Sequence, residues 1–213
     1  MGRPAQKRAI KQERAARTRK EILEAAIRLF ARKGLLATTM ADLAKEIAMT
    51  PGALYWHFPT KEDLVLGAIE ELDARYREAW KDLTTDGRKL SATEQVHLFF
   101  QRTQSFVRDH RHYGMFLALL ASESVALSAR VAESLRETMA IYVQVLGGMI
   151  KYGKRTGEFR EDVDARTLAH ALVAAHMGAV LHFNLFDPAL SYDEMFAALE
   201  KVATSGMLAR AAL

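Results

Sequence analysis

A short segment from Thr50 to Lys61 concentrates side chains that can hydrogen-bond to a nucleic acid. If Leu54 and Phe58, four residues apart, face the interior of a helix, its outward face carries Thr50, Pro51, Gly52, Tyr55, Trp56 and His57. Threonine, tyrosine and histidine side chains bond phosphate oxygens, a lysine adds positive charge, and a glycine permits a close backbone approach. Exposed aromatic rings on so short a helix indicate a partner, and these residue types favour DNA.

Two short helices joined by a tight turn must position this face. Thr39 is predicted to cap the first helix, over residues 39–47. Thr50 is predicted to cap the second helix, over residues 50–58. Their size and spacing are those of a helix-turn-helix, which a preceding helix over residues 18–33 would buttress.

The composition predicts an all-α fold. The 213 residues include 35 Ala and 26 Leu but 11 Val and 7 Ile, and the 12 Gly and 4 Pro leave few turns. Capping residues and apolar periodicity predict about nine helices. They divide into an N-terminal three-helix helix-turn-helix domain over 18–59 and a larger helical domain over 60–213. No cysteine is present, which excludes disulfide scaffolds, thiolate metal sites and cysteine nucleophiles.

Basic charge is concentrated at the start of the chain. Residues 1–20 contain eight Lys or Arg and one acidic residue, whereas the residues after Lys61 are mildly acidic overall. This asymmetry predicts that the front of the chain meets a polyanion. Because residues 1–17 show no clear apolar period, a basic flexible arm is predicted there. The arm could enter an A·T-rich minor groove or remain a solvated tail.

A specific motif lies within residues 38–64 and reads Leu54-Tyr55-x-His57-Phe58-Pro59-Thr60-Lys61. This run resembles the DNA-binding signature of the TetR family of bacterial transcriptional regulators. The resemblance implies a homodimer, formed through the last two helices, that places two recognition helices in successive major grooves of a double-stranded DNA operator. It also implies a ligand pocket in the larger domain.

The resemblance also implies roles for individual residues. The side chains that match the family's phosphate contacts are Thr39, Thr50, Tyr55, His57 and Lys61. Gly52 matches a position where the family's backbone approaches DNA closely. Thr50, Pro51 and Trp56 would face the bases. Two alternatives stay open: Trp56 could pack on the first helix, and the tyrosine and histidine could be plain helix surface.

The chain departs from the family's pattern at two positions. Ala48 stands in the turn where the family often has glycine, which is costly if this residue has a positive φ. Pro51 follows the cap, where the family frequently has a polar residue. Because proline cannot bond a base edge, sequence readout there would be an apolar contact, for example with a thymine methyl group.

The larger domain contains large apolar side chains that could line an elongated ligand pocket. They are Phe99, Phe106, Tyr113, Phe116, Met139, Tyr142 and Met149. Any single one of these residues could instead belong to the ordinary core. As pocket residues they would predict an unidentified small-molecule effector, hydrophobic in character, such as an acyl chain or an aromatic compound.

An uncharged stretch of 20 residues, 167–186, is long enough to span a membrane. Its histidines and small residues instead favour a buried interface helix. Ala171, Ala175, Gly178 and His182 would lie on the side that meets a partner helix. No membrane association is predicted, and the basic, polar start is not a secretory signal, so a cytoplasmic protein is expected.

Catalytic and metal chemistry find little support in the sequence. The segment from Gly148 to Lys154 approaches a phosphate-binding loop, but Arg155 replaces the required serine or threonine. The three histidines of residues 167–186 are spaced by six and share no helix face. No catalytic residue, metal or cofactor is predicted. We expect a sequence-specific repressor released from a palindromic operator by a small molecule, with an architectural DNA binder that has no ligand as the alternative.

Overall fold

The computed structural model describes residues 3–81, 83, 90–186 and 191–208, and this part of the chain contains nine helices and no strand. The helices are α1 (Arg3–Lys33), α2 (Met40–Glu46), α3 (Pro51–His57), α4 (Lys61–Ala79), α5 (Ala92–Asp109), α6 (Arg111–Leu127), α7 (Ala129–Thr156), α8 (Ala165–Phe186) and α9 (Tyr192–Met207). The predicted all-α fold is confirmed. None of these helices is both long and apolar enough to cross a membrane.

Hydrogen-bonded caps fix the helix starts in the N-terminal domain. The Thr39 hydroxyl accepts a hydrogen bond from the Asp42 backbone N–H at 3.1 Å, and the Asp42 carboxylate accepts one from the Thr39 N–H at 2.9 Å. At α3, the Thr50 hydroxyl accepts from the Ala53 N–H and Pro51 occupies the first turn. Both predicted caps are confirmed, and they satisfy backbone donors that have no partner within the helix.

The prediction of a flexible arm over residues 1–17 is wrong from Arg3 onward, because α1 is already helical there. The segment is rich in alanine, lysine, arginine, glutamine and glutamate, all good helix formers, and Pro4 lies in the first turn where proline is tolerated. Helix propensity and continuity with the buried part of α1 therefore outweigh the missing apolar period. Between Ala9 and Lys20 the side chains are mostly exposed.

The turn between α2 and α3 is a helix C-cap built on Ala48. The Met49 N–H donates to the Ala44 carbonyl at 2.9 Å and the Ala48 N–H donates to the Lys45 carbonyl at 3.2 Å, which is the hydrogen-bond pattern of a Schellman motif. Ala48 has φ +51°, in the left-handed region that glycine occupies without strain. The alanine at this position is thus the costly case.

The hydrophobic core is continuous through the described helices. α1 packs on α2, α4 and α6, and α4 also packs on α5, α6 and α7. At Gly67 of α4, an added Cβ would lie 3.1 Å from atoms of Arg19, Leu23 and Phe58, so the glycine lets α4 approach the N-terminal domain closely. α4 therefore contacts both the helix-turn-helix and the larger domain.

Replacing Ala48 by glycine is expected to stabilise the protein. The left-handed conformation costs an L-residue about 1–2 kcal/mol, and glycine loses about 0.5–1 kcal/mol of additional backbone entropy on folding. Urea unfolding of Ala48→Gly should therefore give a free energy of unfolding higher by roughly 0.5–1 kcal/mol. Ala41→Gly, exposed within α2, is the control and should lower it by up to about 1 kcal/mol. Destabilisation by both variants would contradict the strain at Ala48.

Candidate nucleic-acid interface and effector cavity

The outward face of α3 is open to solvent, as the spacing of its apolar residues predicts. Leu54 and Phe58 are buried, at 0% and 2% exposure, and anchor the helix in the core. Tyr55 and Trp56 are 47% and 69% exposed. The alternative in which Trp56 packs on the first helix is wrong. Two large aromatic side chains therefore project from a helix of seven residues.

The first turn of α3 combines exposed residues with open space. Thr50, Pro51 and Gly52 are all exposed. A Cβ built on Gly52 would meet no atom within 4 Å, and the backbone there has no positive φ. Neither packing nor conformation within the chain accounts for a glycine at this position. A close approach by an external partner would account for it.

The other three predicted contacts take part in interactions within the chain or are partly buried. They are Thr39, His57 and Lys61. The Thr39 hydroxyl donates to the Asp42 carboxylate at 2.7 Å, and the hydrogen bonds from Thr39 lower the pKa of Asp42 to about 2. His57 is half-buried; burial and then the positive charge of Arg19 lower its pKa, which favours the neutral imidazole. Thr39 is thus partly occupied by contacts within the chain, and His57 is partly buried at the end of α3.

Lys61 begins α4 and is directed towards the connection between α1 and α2. Its ammonium group donates to the Leu36 carbonyl at 3.3 Å. Burial lowers the pKa of Lys61, and the nearby Glu123 opposes that shift. The Glu123 carboxylate itself accepts a hydrogen bond from the Leu36 backbone N–H at 2.8 Å. In this arrangement Lys61 ties α4 to the loop that precedes α2.

Basic residues on α1 are further candidate DNA contacts, which the sequence analysis did not name individually. The Arg19 guanidinium lies 5.0 Å from the centre of the Phe58 ring and 3.6 Å from the Glu70 carboxylate. On the preceding turns Lys11, Arg14 and Arg17 are exposed at spacings of three residues, on one side of the helix. The basic run at the start of the chain was visible in the sequence, but its helical arrangement was not.

A small, partly open apolar cavity of about 30 Å³ lies between α4, α5, α6, α7 and α8. Its wall contains no charged side chain and consists of Tyr76, Trp80, Phe99, Phe100, Thr103, Leu117, Tyr142, Leu146, Leu172, Val173, His176 and Met177. The Trp80 indole N–H donates to the Thr103 hydroxyl at 2.9 Å, and this hydroxyl donates to the Phe99 carbonyl at 2.7 Å. Such an apolar site suits a ligand that is itself mostly apolar.

Phe99 and Tyr142 are the predicted pocket residues that the structure places in this wall. The other five predicted residues lie outside the wall. Phe106 contacts the Tyr76 ring, the Tyr113 hydroxyl donates a hydrogen bond to Glu24 of α1, and Phe116 stacks on Phe30. Met149 is buried in the core, and Met139 lines an outer groove. The sequence prediction missed most of the wall, because five separate helices contribute to it. The aromatic content of α4 and the uncharged character of α8 were the available signals.

Three polar atoms in the cavity wall are buried without a hydrogen-bond partner among the described residues. They are the Tyr76 hydroxyl, the Tyr142 hydroxyl and the His176 Nε2. Burial raises the pKa of both phenols and lowers the pKa of His176 to about 4, so all three groups are neutral at pH 7.

Two family models match most of the described helices. A model for the bacterial regulatory proteins of the tetR family matches residues 22–68, which include α2 and α3. A model for the tetracyclin repressor-like C-terminal domain matches residues 92–199, about half of the chain. Both the exposed α3 face and most of the cavity wall lie within the matched ranges.

Individual transcriptional regulators are also similar to this chain. The chain is 28% identical to the HTH-type transcriptional repressor NicS of Pseudomonas putida over 79% of this chain and 78% of that protein. A putative transcriptional regulator from Saccharomonospora viridis, solved with choline, has a TM-score of 0.78 and 24% identity, covering 92% of this chain and all of that one. FadR of Bacillus subtilis, solved with stearoyl-CoA, has a TM-score of 0.75 and 19% identity, covering 88% and 98% of the two chains.

Replacing Gly52 by alanine is expected to weaken DNA binding without harming the fold. The new methyl group meets open space within the chain, and alanine favours a helix. We expect an unchanged or slightly higher unfolding free energy and a roughly tenfold lower DNA affinity, equivalent to about 1.4 kcal/mol. Fluorescence anisotropy with a labelled operator gives the affinity.

Gly148→Ala is the matched control for this change, because Gly148 is an exposed helical glycine of α7 whose added Cβ would also meet open space. It should leave DNA affinity unchanged. Equal DNA affinity in both variants would remove Gly52 from the interface.

Acid is expected to destabilise the protein partly through His176. Between its lowered pKa of about 4 and its ordinary pKa of 6.5, the unfolded chain binds a proton that the folded chain does not. The unfolding free energy should therefore fall as pH drops through this window, by up to about 1.4 kcal/mol per pH unit from this group. Urea unfolding of His176→Gln should show a shallower slope, and His170→Gln, exposed on the same helix, should not. An unaltered slope in His176→Gln would contradict the burial of the imidazole.

Proposed function

The chain belongs to the TetR family of bacterial transcriptional regulators, and from this premise we propose that it represses transcription as a homodimer that a small molecule releases from a palindromic operator. α3 is the recognition helix in this proposal. Thr50, Pro51, Gly52, Tyr55 and Trp56 form its DNA-facing surface. Thr39 and Lys61, which also form hydrogen bonds within the chain, and the half-buried His57 would contact flanking phosphates.

The observation that carries the proposal is that α4 contacts both sites. Its first half approaches Phe58, at the end of α3, through Gly67. Its second half contributes Tyr76 to the cavity wall, and Trp80 follows as the C-cap. Occupation of the cavity would therefore act on the helix that holds the recognition helix in place.

A hydrogen-bonded link parallel to α4 supports the same coupling. The Glu24 carboxylate of α1 accepts hydrogen bonds from Arg75 of α4 and from the Tyr113 hydroxyl of α6, the latter at 2.9 Å. The Tyr113 ring lies 5.6 Å from the ring of Phe106, which lies 4.6 Å from Tyr76 in the cavity wall. Packed and hydrogen-bonded groups thus run from the cavity to α1, which in turn packs on α2, and such contiguous contacts can carry energetic coupling between two sites.

The exposed faces of α8 and α9 support a dimer through the last two helices. On α8 small side chains are exposed at Ala171, Ala174 and Gly178, a stripe shifted by one residue from the predicted Ala175. On α9, Val202 is 73% exposed. Small residues let a partner helix approach closely, and an apolar side chain this exposed favours burial by a second copy.

Ligand control is supported by the neighbours as well as by the cavity. The Saccharomonospora viridis regulator is in complex with choline and the Bacillus subtilis FadR with stearoyl-CoA. Ligands this different on one fold mean that fold alone does not identify the effector. The alternative function, a DNA binder that no ligand controls, would leave the apolar cavity as a packing defect.

Selection of DNA from a random library by the purified chain is expected to give a two-fold-symmetric site. Two recognition helices about 34 Å apart enter successive major grooves, so half-site centres should lie about ten base pairs apart. The selection is done at about 150 mM salt, where nonspecific phosphate contacts are weakened. Enrichment of A·T-rich DNA without symmetry would contradict the dimeric repressor and favour the architectural binder.

A variant of the proposed interface gives the control for that selection. Val202→Lys should fold, because the side chain is exposed, but should sediment as a monomer and lose the symmetric site. Gln101→Lys adds the same charge to an exposed position of α5 and should keep both properties. A Val202→Lys dimer with full operator affinity would place the interface elsewhere.

A further inference from the structure

The cavity wall contains hydrogen-bonding atoms that the described part of the chain leaves unused. The hydroxyls of Tyr76 and Tyr142 belong to side chains that are 2% and 4% exposed, and both lie without a partner. Their rings pack at 5.2 Å between centres. The His176 Nε2 is buried in the same wall. Buried polar groups in folded proteins are nearly always paired, so the three unpaired ones carried by residues of one cavity wall point to a ligand that supplies the partners once it has displaced part of that wall.

The wall also restricts the ligand's charge. Apart from His176, every lining residue is neutral by type. The two charged groups that act on Tyr142, Asp73 and Arg77, form an ion pair with each other. Burial keeps His176 neutral, with a pKa lowered to about 4. A charged group placed in this space would lose its hydration and gain no counter-ion. The buried part of the ligand must therefore be uncharged.

The remaining wall favours an aromatic body. The Trp80 ring lies 4.9 Å from Phe99 and 4.8 Å from Tyr142, the latter edge-to-face. Rings prefer such offset and edge-to-face neighbours, and a ligand ring can extend the same packing.

A route to this cavity lies on the outside of α8. Val173 and Met177 line both the cavity and an open apolar groove of about 530 Å³ between α6, α7 and α8. These two side chains therefore lie between the cavity and the groove. Methionine is unbranched and adapts its shape readily, so Met177 is the side chain whose rotation opens the route most easily.

We propose that the cavity binds an uncharged aromatic molecule with a hydroxyl or carbonyl group, which hydrogen-bonds to Tyr76, Tyr142 and His176. The inference rests on the proposed function and names the class of its effector. The ring packs beside Trp80, where it must displace part of the wall of this small cavity, and the polar group then reaches the phenols and the imidazole. Carboxylates and quaternary amines are excluded by the same wall.

Three probes of similar shape test this class: 4-ethylphenol, ethylbenzene and 4-ethylbenzoate. The chain has two tryptophans, so the Trp56→Phe variant leaves Trp80, in the cavity wall, as the fluorescent reporter. We expect 4-ethylphenol to change this fluorescence and to bind roughly tenfold more tightly than ethylbenzene, the ratio that corresponds to about 1.4 kcal/mol. 4-Ethylbenzoate should not bind.

The Tyr142→Phe variant, made in the same background, separates hydrogen bonding from packing. It keeps the ring against Trp80 and removes the hydroxyl, so the affinity for 4-ethylphenol should fall about fivefold, the effect of one typical hydrogen bond. The affinity for ethylbenzene should stay the same. Tyr152→Phe, on the same helix and outside the cavity wall, should change neither affinity, and melting temperatures report whether all variants fold.

These measurements test the ligand class separately from the proposed repressor function. Equal binding of 4-ethylphenol and ethylbenzene, tighter binding of 4-ethylbenzoate, or no binding of any probe would overturn the ligand class. Operator binding by the unliganded chain is measured in parallel and is unaffected by these results. A probe that binds as expected but leaves operator affinity unchanged would instead support the ligand class and contradict ligand control.

Discussion

The close contact of α4 with α1 at Gly67 is the constraint on which the relation between the two halves of the molecule depends. A Cβ built on Gly67 would lie 3.1 Å from atoms of Arg19, Leu23 and Phe58. The backbone of α4 therefore lies in close contact with side chains of α1 and with Phe58. Close-packed interiors do not deform continuously. A shift of α4 must therefore carry Phe58, and with it the end of α3, along. α3 is short and is held mainly by Leu54 and Phe58, so its orientation follows the surface that buries these two side chains.

Local hydrogen bonds explain why so much of the fold could be predicted from the sequence. Thr39 and Thr50 form caps whose partners, the backbone N–H groups of Asp42 and Ala53, are three residues away, and both predicted caps are present in the structure. The inward positions of α3 likewise depend only on a spacing of four residues. Such features need no knowledge of distant parts of the chain. The cost of Ala48 also followed from a local rule, once its φ was known.

The features that could not be predicted depend on contacts between distant residues or on a balance between weak effects. The start of α1 lacks an apolar face, and its helical state rests on propensity and on continuity with a buried helix. Lys61 matches a phosphate contact by motif, yet its bond to the Leu36 carbonyl depends on how α4 lies against the α1–α2 connection. The cavity wall draws on residues from position 76 to position 177. No periodicity distinguishes a wall residue from a core residue, because both are apolar and inward.

The size of the cavity gives a physical reason why occupation and DNA binding should be coupled. A space of about 30 Å³ holds only a few atoms, so an aromatic ring must displace part of the wall. The side chains of α4 in that wall, Tyr76 and the following Trp80, pack against Tyr142 and Phe99 and cannot move alone. Part of the displacement therefore falls on the C-terminal end of α4, and its opposite end is fixed against Phe58. A differential binding energy of about 1–3 kcal/mol between two positions of this helix is enough to change operator affinity roughly 5- to 150-fold. In the proposed dimeric repressor, the ligand thus needs no contact with the helix-turn-helix, only a preference for a position of α4 in which the two α3 helices are wrongly spaced for DNA.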